Sequence, residues 1–302
     1  MSTRKKSRAL KSRYSSFLPE NLEITDEFDY ALSAMEGSCE NIFITGKAGT
    51  GKSTLLRQFK KNTSKNIAVL APTGVAAINV SGQTIHSFFK FPPRFISKDT
   101  IKRKRKSKVI QKLDAVVIDE VSMVRADLMD GVDYALRLNR SCMDKPFGGI
   151  QMIFFGDLFQ LPPIVESDIR PIFDERYSTP YFFSAKAFDK ISLRYIELSK
   201  IFRQRDNRFL ELLNSIRSKD HTKEGLSSLN KRVIDELKDV DDLAVILTTT
   251  NSRANTINEQ KLAQLPGREY VYQAEIAGDF EENFYPTESV MRLKEGARII
   301  LI

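Results

Sequence analysis

Four short runs, "NIFIT" (41–45), "IAVLA" (67–71), "AVVID" (115–119) and "IQMIFF" (150–155), are apolar with almost no alternation. That is the pattern of strands buried on both faces. Between them apolar residues return at helical spacing. The spacing predicts a helix over 26–37, with Phe28, Ala31, Leu32 and Met35 on one face, Thr25 or Asp26 as its cap and Gly37 as its stop. Further helices are predicted from Lys52 to about Lys61, from Gly74, and near 125–138. Strands and helices in alternation predict an α/β fold, a doubly wound parallel sheet with helices on both faces. A helix over 206–219 and a strand over 244–250 predict the start of a second α/β unit, with the boundary near residue 204.

Composition narrows the class. The chain has 302 residues, 41% of them apolar, and 20 Phe, enough for cores of ordinary size. No window approaches 18 uninterrupted apolar residues and the N-terminus has no secretory apolar core, so an intracellular protein with no membrane segment is expected. Cys39 and Cys142 lie far apart, and His86 and His221 are the two histidines. A disulfide framework and a zinc site are therefore not expected, which leaves magnesium as the plausible metal.

The net charge of +8 is concentrated. Residues 1–13 carry six basic residues and no acid, and residues 98–112 carry eight basic residues and one acid, so the remainder of the chain is net acidic. Residues 1–21 read as a basic disordered tail. A local basic patch suits a phosphate backbone, since each neutralised phosphate releases a counterion, but a solvated tail and loop would look the same.

The chemistry lies in "GKAGTGKST", where Gly46, Gly51, Lys52 and Ser53 fill G-x-x-x-x-G-K-[ST] between a buried strand and a helix. Here Gly46, Ala48, Gly49, Thr50, Gly51, Lys52, Ser53 and Thr54 form a nucleotide-binding loop. Bare backbone N–H groups approach phosphate, Lys52 reaches the β- and γ-phosphates, and the Ser53 hydroxyl ligates magnesium. Asp119 and Glu120 follow a strand at the sheet edge where ligands sit, Asp119 suited to hold magnesium and Glu120 to activate water. "FFGDLFQLPPI" (154–164) places Gln160 at another strand end, where an amide can sense the γ-phosphate. Arg203 in "IELSKIFRQ" falls at the expected domain seam and suits an arginine finger.

Taken in order, "GKAGTGKST", "APTGVAA" (71–77), "GQTIHSFF" (82–89), "VVIDEVSM", "KPFGGIQMIFFGDLFQLPP" (145–163) and "LSKIFRQ" closely resemble the petite-integration-frequency (PIF) helicases, relatives of RecD-type enzymes. "VRADLMDGVDYALRL" (124–138) resembles the segment that sets this family apart. The resemblance implies RecA-like domains and an ATP- and magnesium-dependent DNA helicase moving 5′ to 3′ on single-stranded DNA. Single-stranded and forked DNA are the implied partners, with replication or repair proteins beside them. The protein would act as a monomer at the nucleoid, or in the nucleus or mitochondrion.

The resemblance gives Lys52, Ser53, Asp119, Glu120, Gln160 and Arg203 the roles above. It places Pro72, Thr73, Gly74, His86, Ser87, Thr249 and Asn251 on the DNA track. The basic stretch falls where the family carries a wedge-like insertion, here about 90–112, which directs Lys102, Arg103, Lys104 and Arg105 to the fork. Phe88, Phe89 and Phe91 could stack on bases or belong to the core.

Two features depart from the family. "ITDEFDYAL" has no glutamine to read adenine, and nothing after "LKEGARIILI" supplies the later motifs of a second RecA-like domain. An incomplete cleft that binds nucleotide but unwinds DNA poorly is the corresponding expectation. A P-loop phosphotransferase and a non-unwinding nucleotide- or DNA-binding module are the competing readings.

Overall fold

The computed structural model describes residues 25–92, 94–103, 108–202, 207–234, 244–276 and 287–299. The described residues up to Asp220 form one compact unit, and those from His221 onward another. The helix after the expected boundary at 204 therefore groups with the first unit. The basic tail over 1–21 lies outside the described residues, as do Lys104, Arg105 and Arg203.

The first unit contains helix α1 (Asp26–Gly37), β1 (Asn41–Gly46), α2 (Lys52–Asn62), β2 (Ile67–Ala71), α3 (Gly74–Asn79), β3 (Gln83–Thr84) and α4 (Ile85–Phe89). It continues with α5 (Lys108–Gln111), β4 (Ala115–Ile118), α6 (Ala126–Arg140), β5 (Gln151–Phe155), α7 (Arg170–Asp174), β6 (Leu193–Leu198) and α8 (Asn207–Arg217). Its six strands pair in the order β3-β2-β4-β5-β1-β6, and every pairing is parallel. The predicted doubly wound sheet is thus observed.

Strand residues divide by parity between two cores. Phe43, Leu70, Val116, Ile118, Met152 and Phe154 pack on one face with Met129, Val132 and Leu136 of α6. Their neighbours Ile42, Ile44, Val69, Val117, Ile153 and Phe155 pack on the other with Leu32 and Met35 of α1 and Leu55 and Phe59 of α2. This explains why the strands show no polar alternation: both faces are covered. Each fully buried side chain of this size stabilises by about 1.5–3 kcal/mol. The Thr25 side chain caps α1 by accepting from the Phe28 N–H, with Asp26, Glu27 and Asp29 complementing the helix dipole in its first turn.

Two strands of the first unit carry no clear sequence signal. β6 alternates, exposing Tyr195 and burying Ile196 and Leu198, because it is an edge strand paired to β1. β3 has two residues, too few for any periodicity.

In the second unit, α9 (Lys223–Asn230), α10 (Asn251–Gln264) and an antiparallel pair, β7 (Glu269–Gln273) with β8 (Val290–Lys294), are described. None of its described residues is buried. The strand expected over 244–250 is not formed there. Residues 244–248 are irregular and Leu247 is 91% exposed. An extended segment becomes a strand only with a ladder partner, and none pairs with this one among the described residues.

Candidate functional site

The loop between β1 and α2 runs along the C-terminal edge of the sheet. Gly49 and Gly51 have φ of 82° and 93°, which glycine adopts without penalty. At Gly46 a Cβ would lie 2.6 Å from the Leu198 carbonyl oxygen and 2.7 Å from Thr50 Oγ1, so this position must also be bare. Thr50 is buried, its hydroxyl donating to the Lys47 carbonyl at 2.9 Å, while Ala48 and Ser53 are exposed and Thr54 is half-buried. Lys52 turns its ammonium back over the loop, donating to the carbonyls of Gly46 at 2.7 Å and Lys47 at 3.3 Å. Burial lowers its pKa most; Asp157, Glu120 and Asp119 act in the opposite sense, and Arg217 lowers it further. These charged groups therefore converge on one cleft edge.

Asp119 directly follows β4 and extends its ladder, its N–H donating to Leu70 O at 2.8 Å. Its carboxyl is pushed up to about 6, first by burial and then by the charge of Glu120, against the Glu120 N–H and Lys52. Glu120 itself sits in the left-handed region. Beyond β5, Gly156 lies under the same turn, where a Cβ would meet Val121 Cγ1 at 2.9 Å.

Asp157 follows, 1% exposed. Its carboxylate accepts from Arg217 Nη2 at 2.6 Å, from the Phe159 N–H at 3.1 Å and from Gln160 Nε2 at 3.3 Å. Phe202, the last described residue before Arg203, donates its N–H to Gly49 O at 2.9 Å, and its ring lies 3.9 Å from where a Cβ of Gly51 would stand. The segment leading to Arg203 is thereby tied to the P-loop. Sequence reasoning missed Asp157 as a hub, Arg217 and Phe202. Arg217 is 60 residues from its carboxylate partner, and no local pattern encodes such a pair.

The expected DNA-track residues of the first unit lie at the start of α3 and on α4. Thr73 and Thr84 cap these helices, accepting from Ala76 N and Ser87 N at 3.2 and 3.1 Å. Each hydroxyl keeps its O–H to donate. Pro72 is half-buried, and Ser87 and Gly74 are exposed. A Cβ at Gly74 would meet nothing within 4 Å, so packing within the fold does not require glycine there. His86 is half-buried, and its pKa is lowered, first by burial and then by Arg125, against Asp127. Phe89 and Phe91 are buried and stacked on each other at 5.2 Å, and Phe88 packs partly buried against the same core. Stacking on bases is therefore not open to Phe89 or Phe91.

Lys102 and Arg103 are exposed, and Arg103 donates to Ser141 Oγ at 2.6 Å. In the second unit, Thr249 and Asn251 are exposed at the start of α10, whose cap is Thr250, accepting from Arg253 N.

Among the described residues no group of three or more His, Cys, Asp or Glu could hold a metal by itself. A hydroxyl on Ser53 and a carboxylate on Asp119 form a hard, sparse oxygen set, which fits magnesium arriving with phosphates and waters. A groove of about 600 Å³ lined by Cys39, Lys145, Lys190 and Arg194 holds none of the groups above.

Residues 23–239 match the family model described as PIF1-like helicase. The chain is similar to the ATP-dependent DNA helicase PIF1 of Saccharomyces cerevisiae, 34% identical over 285 residues that cover 87% of this chain and 32% of that protein. It is similar to Pif1 helicase from Bacteroides in complex with ADP-AlF3 and ssDNA, at a TM-score of 0.77 and 34% identity, covering 91% of this chain and 64% of that one. It also resembles a structure described as two coordinating Pif1 helicases unwinding forked dsDNA, at a TM-score of 0.78 and 34% identity, covering 90% of this chain and 65% of that one. The chain spans about a third of the yeast relative's length.

Proposed function

The chain belongs to the PIF1-like helicase family, and from that premise we propose that it carries the ATP-hydrolysing core of a DNA helicase that steps 5′ to 3′ along single-stranded DNA. The observation that carries this reading is the convergence of Lys52, Asp119, Glu120 and Asp157 with its partner Gln160 at the C-terminal edge of one parallel sheet. In an open α/β sheet that edge is where ligands bind. The relative's complex with a nucleotide analogue and single-stranded DNA supports both ligands, and the forked substrate of the other supports a fork as the working partner.

Each residue has a role. The loop from Gly46 to Gly51 presents N–H groups to the phosphates, and Lys52 exchanges its carbonyl partners for phosphate oxygens. Ser53 and Asp119 would hold the magnesium ion, which when bound neutralises charge on the phosphates. Glu120 accepts a proton from the attacking water, and Gln160 orients that water. Arg203, next to the P-loop-bound Phe202, stabilises charge on the transferred phosphoryl group. Pro72, Thr73, Gly74, His86 and Ser87 provide small, uncharged contacts that follow a phosphate backbone without reading bases. The open space beside Gly74 suits such an approach.

Phosphate release should rise with single-stranded DNA and not with small hydroxyl acceptors; phosphorylation of an acceptor would support a phosphotransferase instead. For polarity, the motor should remove streptavidin from a 3′-biotinylated strand and leave a 5′-biotinylated strand intact. The reverse pattern would overturn the direction.

A further inference from the structure

The turn after β5 holds a polar chain with buried Asp157 at its centre, exposed Gln160 at one end and half-buried Arg217 at the other. The guanidinium donates to Asp157 at 2.6 Å and lies 4.3 Å over the Phe159 ring. Asp157 in turn accepts from the Gln160 side chain, and the Gln160 N–H closes the turn on Asp157 O at 2.9 Å. Arg217 Nε is buried with no hydrogen-bond acceptor. An arginine present only to stabilise the fold would be expected to use that donor.

We propose that Arg217 is a positioning residue for the γ-phosphate sensor: it anchors the Asp157 side chain, and Asp157 fixes how the Gln160 amide is turned at the nucleotide. The proposal rests on the helicase reading above. An ionised carboxylate can only accept, so the Gln160 NH₂ must face it and the carbonyl oxygen must face away. That oxygen is then available to accept from the attacking water, and the second N–H of the amide is available to donate to the γ-phosphate. A protonated Asp157 could donate instead and would tolerate the reversed amide. Arginine is suited to preventing this because it does not lose its proton in proteins. Burial alone would raise the Asp157 carboxyl, but the Arg217 hydrogen bond and charge, with the Phe159 N–H and Gln160, hold it below the usual range. Lys52 from α2 and Tyr195 from β6 also interact electrostatically with Asp157.

The test is calorimetric titration with MgADP and with a magnesium-bound non-hydrolysable ATP analogue. Wild type, Arg217→Ala, Gln160→Ala, the double variant and Asp157→Asn are compared. Wild type should prefer the analogue on the order of tenfold, as one charge-assisted contact allows. Arg217→Ala and Gln160→Ala should each erase that preference while ADP affinity stays within about twofold, and the double variant should lose nothing more. Asp157→Asn, which keeps the side-chain shape, should behave alike, and it decides the matter if Arg217→Ala fails to fold. Any preference left in Arg217→Ala should weaken more steeply with falling pH than that of wild type, because Asp157 has lost the guanidinium that favours its ionised form.

Additive losses in the double variant, an equal loss of ADP binding, or an unchanged preference in Arg217→Ala would each overturn the proposal. A wild-type chain that binds neither nucleotide would instead overturn the helicase reading, and this proposal with it.

Discussion

Glu120 adopts φ 49° and ψ 42°, immediately after a carboxyl that is itself pushed up to about 6. A residue with a Cβ in that left-handed conformation stores roughly 1–2 kcal/mol of strain. The strain lies on the residue assigned to activate water, so function and stability should separate there. Glu120→Gly should raise stability by about 0.5–1 kcal/mol in urea melts while abolishing hydrolysis; a destabilised variant would contradict the strain account. Asp119 gives a second prediction, through pH. Its folded-state pKa of about 6 lies above the ordinary 3.8, so the folded protein binds more protons between those values. Its contribution is therefore favourable at low pH and lost as pH rises through about 6. Asp119→Asn should raise Tm by roughly 2–5 °C at pH 8 and leave it unchanged near pH 3.5. Equal gains at both pH values would exclude this cause.

Helix α6 shows how one element links the site to its surroundings. Its buried Asp127 accepts from the Ile96 N–H at 2.9 Å and pairs with Arg125 at 2.8 Å, while Arg125 also reaches Arg94 O. A Cβ at Gly131 would approach Ile96 Cγ2 to 2.6 Å, and Arg140 donates to the carbonyls of Ile110, Gln111 and Leu113. The helix thus grips both sides of the basic stretch. Asp127→Ala leaves Arg125 without its carboxylate and should cost about 3 kcal/mol. The Ile96 amide, having lost its acceptor, should exchange faster with deuterium; unchanged protection would refute this role for α6. The periodicity of α6 was readable in the chain, but the partnership with Ile96, 31 residues away, was not. The same distinction separates β1, β2, β4 and β5, whose apolar runs announce two covered faces, from β6, an edge strand half in solvent. Lys52, Asp119 and Glu120 were legible because local spacing places them at element ends. Arg217 was not, since only the folded sheet brings α8 to Asp157.

Across the whole molecule, the charge distribution matches the division of labour proposed here. The first unit places the buried acids Asp119 and Asp157 at the proposed nucleotide edge, and Lys102 and Arg103 of the basic stretch 98–112 are exposed. Neutralising Lys102, Arg103, Lys104 and Arg105 together should weaken DNA binding and flatten its salt dependence, by about 0.7 in log–log slope for each phosphate no longer neutralised. An unchanged slope would return that stretch to a solvated loop. DNA-stimulated ATP hydrolysis through Glu120 is the core of the proposed function. Its most direct measurement is steady-state ATP turnover with and without single-stranded DNA, for wild type and Glu120→Gln. DNA should stimulate turnover in wild type, and turnover should fall by about 10²–10⁴-fold in the variant with nucleotide binding retained. Turnover indifferent to DNA, or a Glu120→Gln variant as active as wild type, would contradict it.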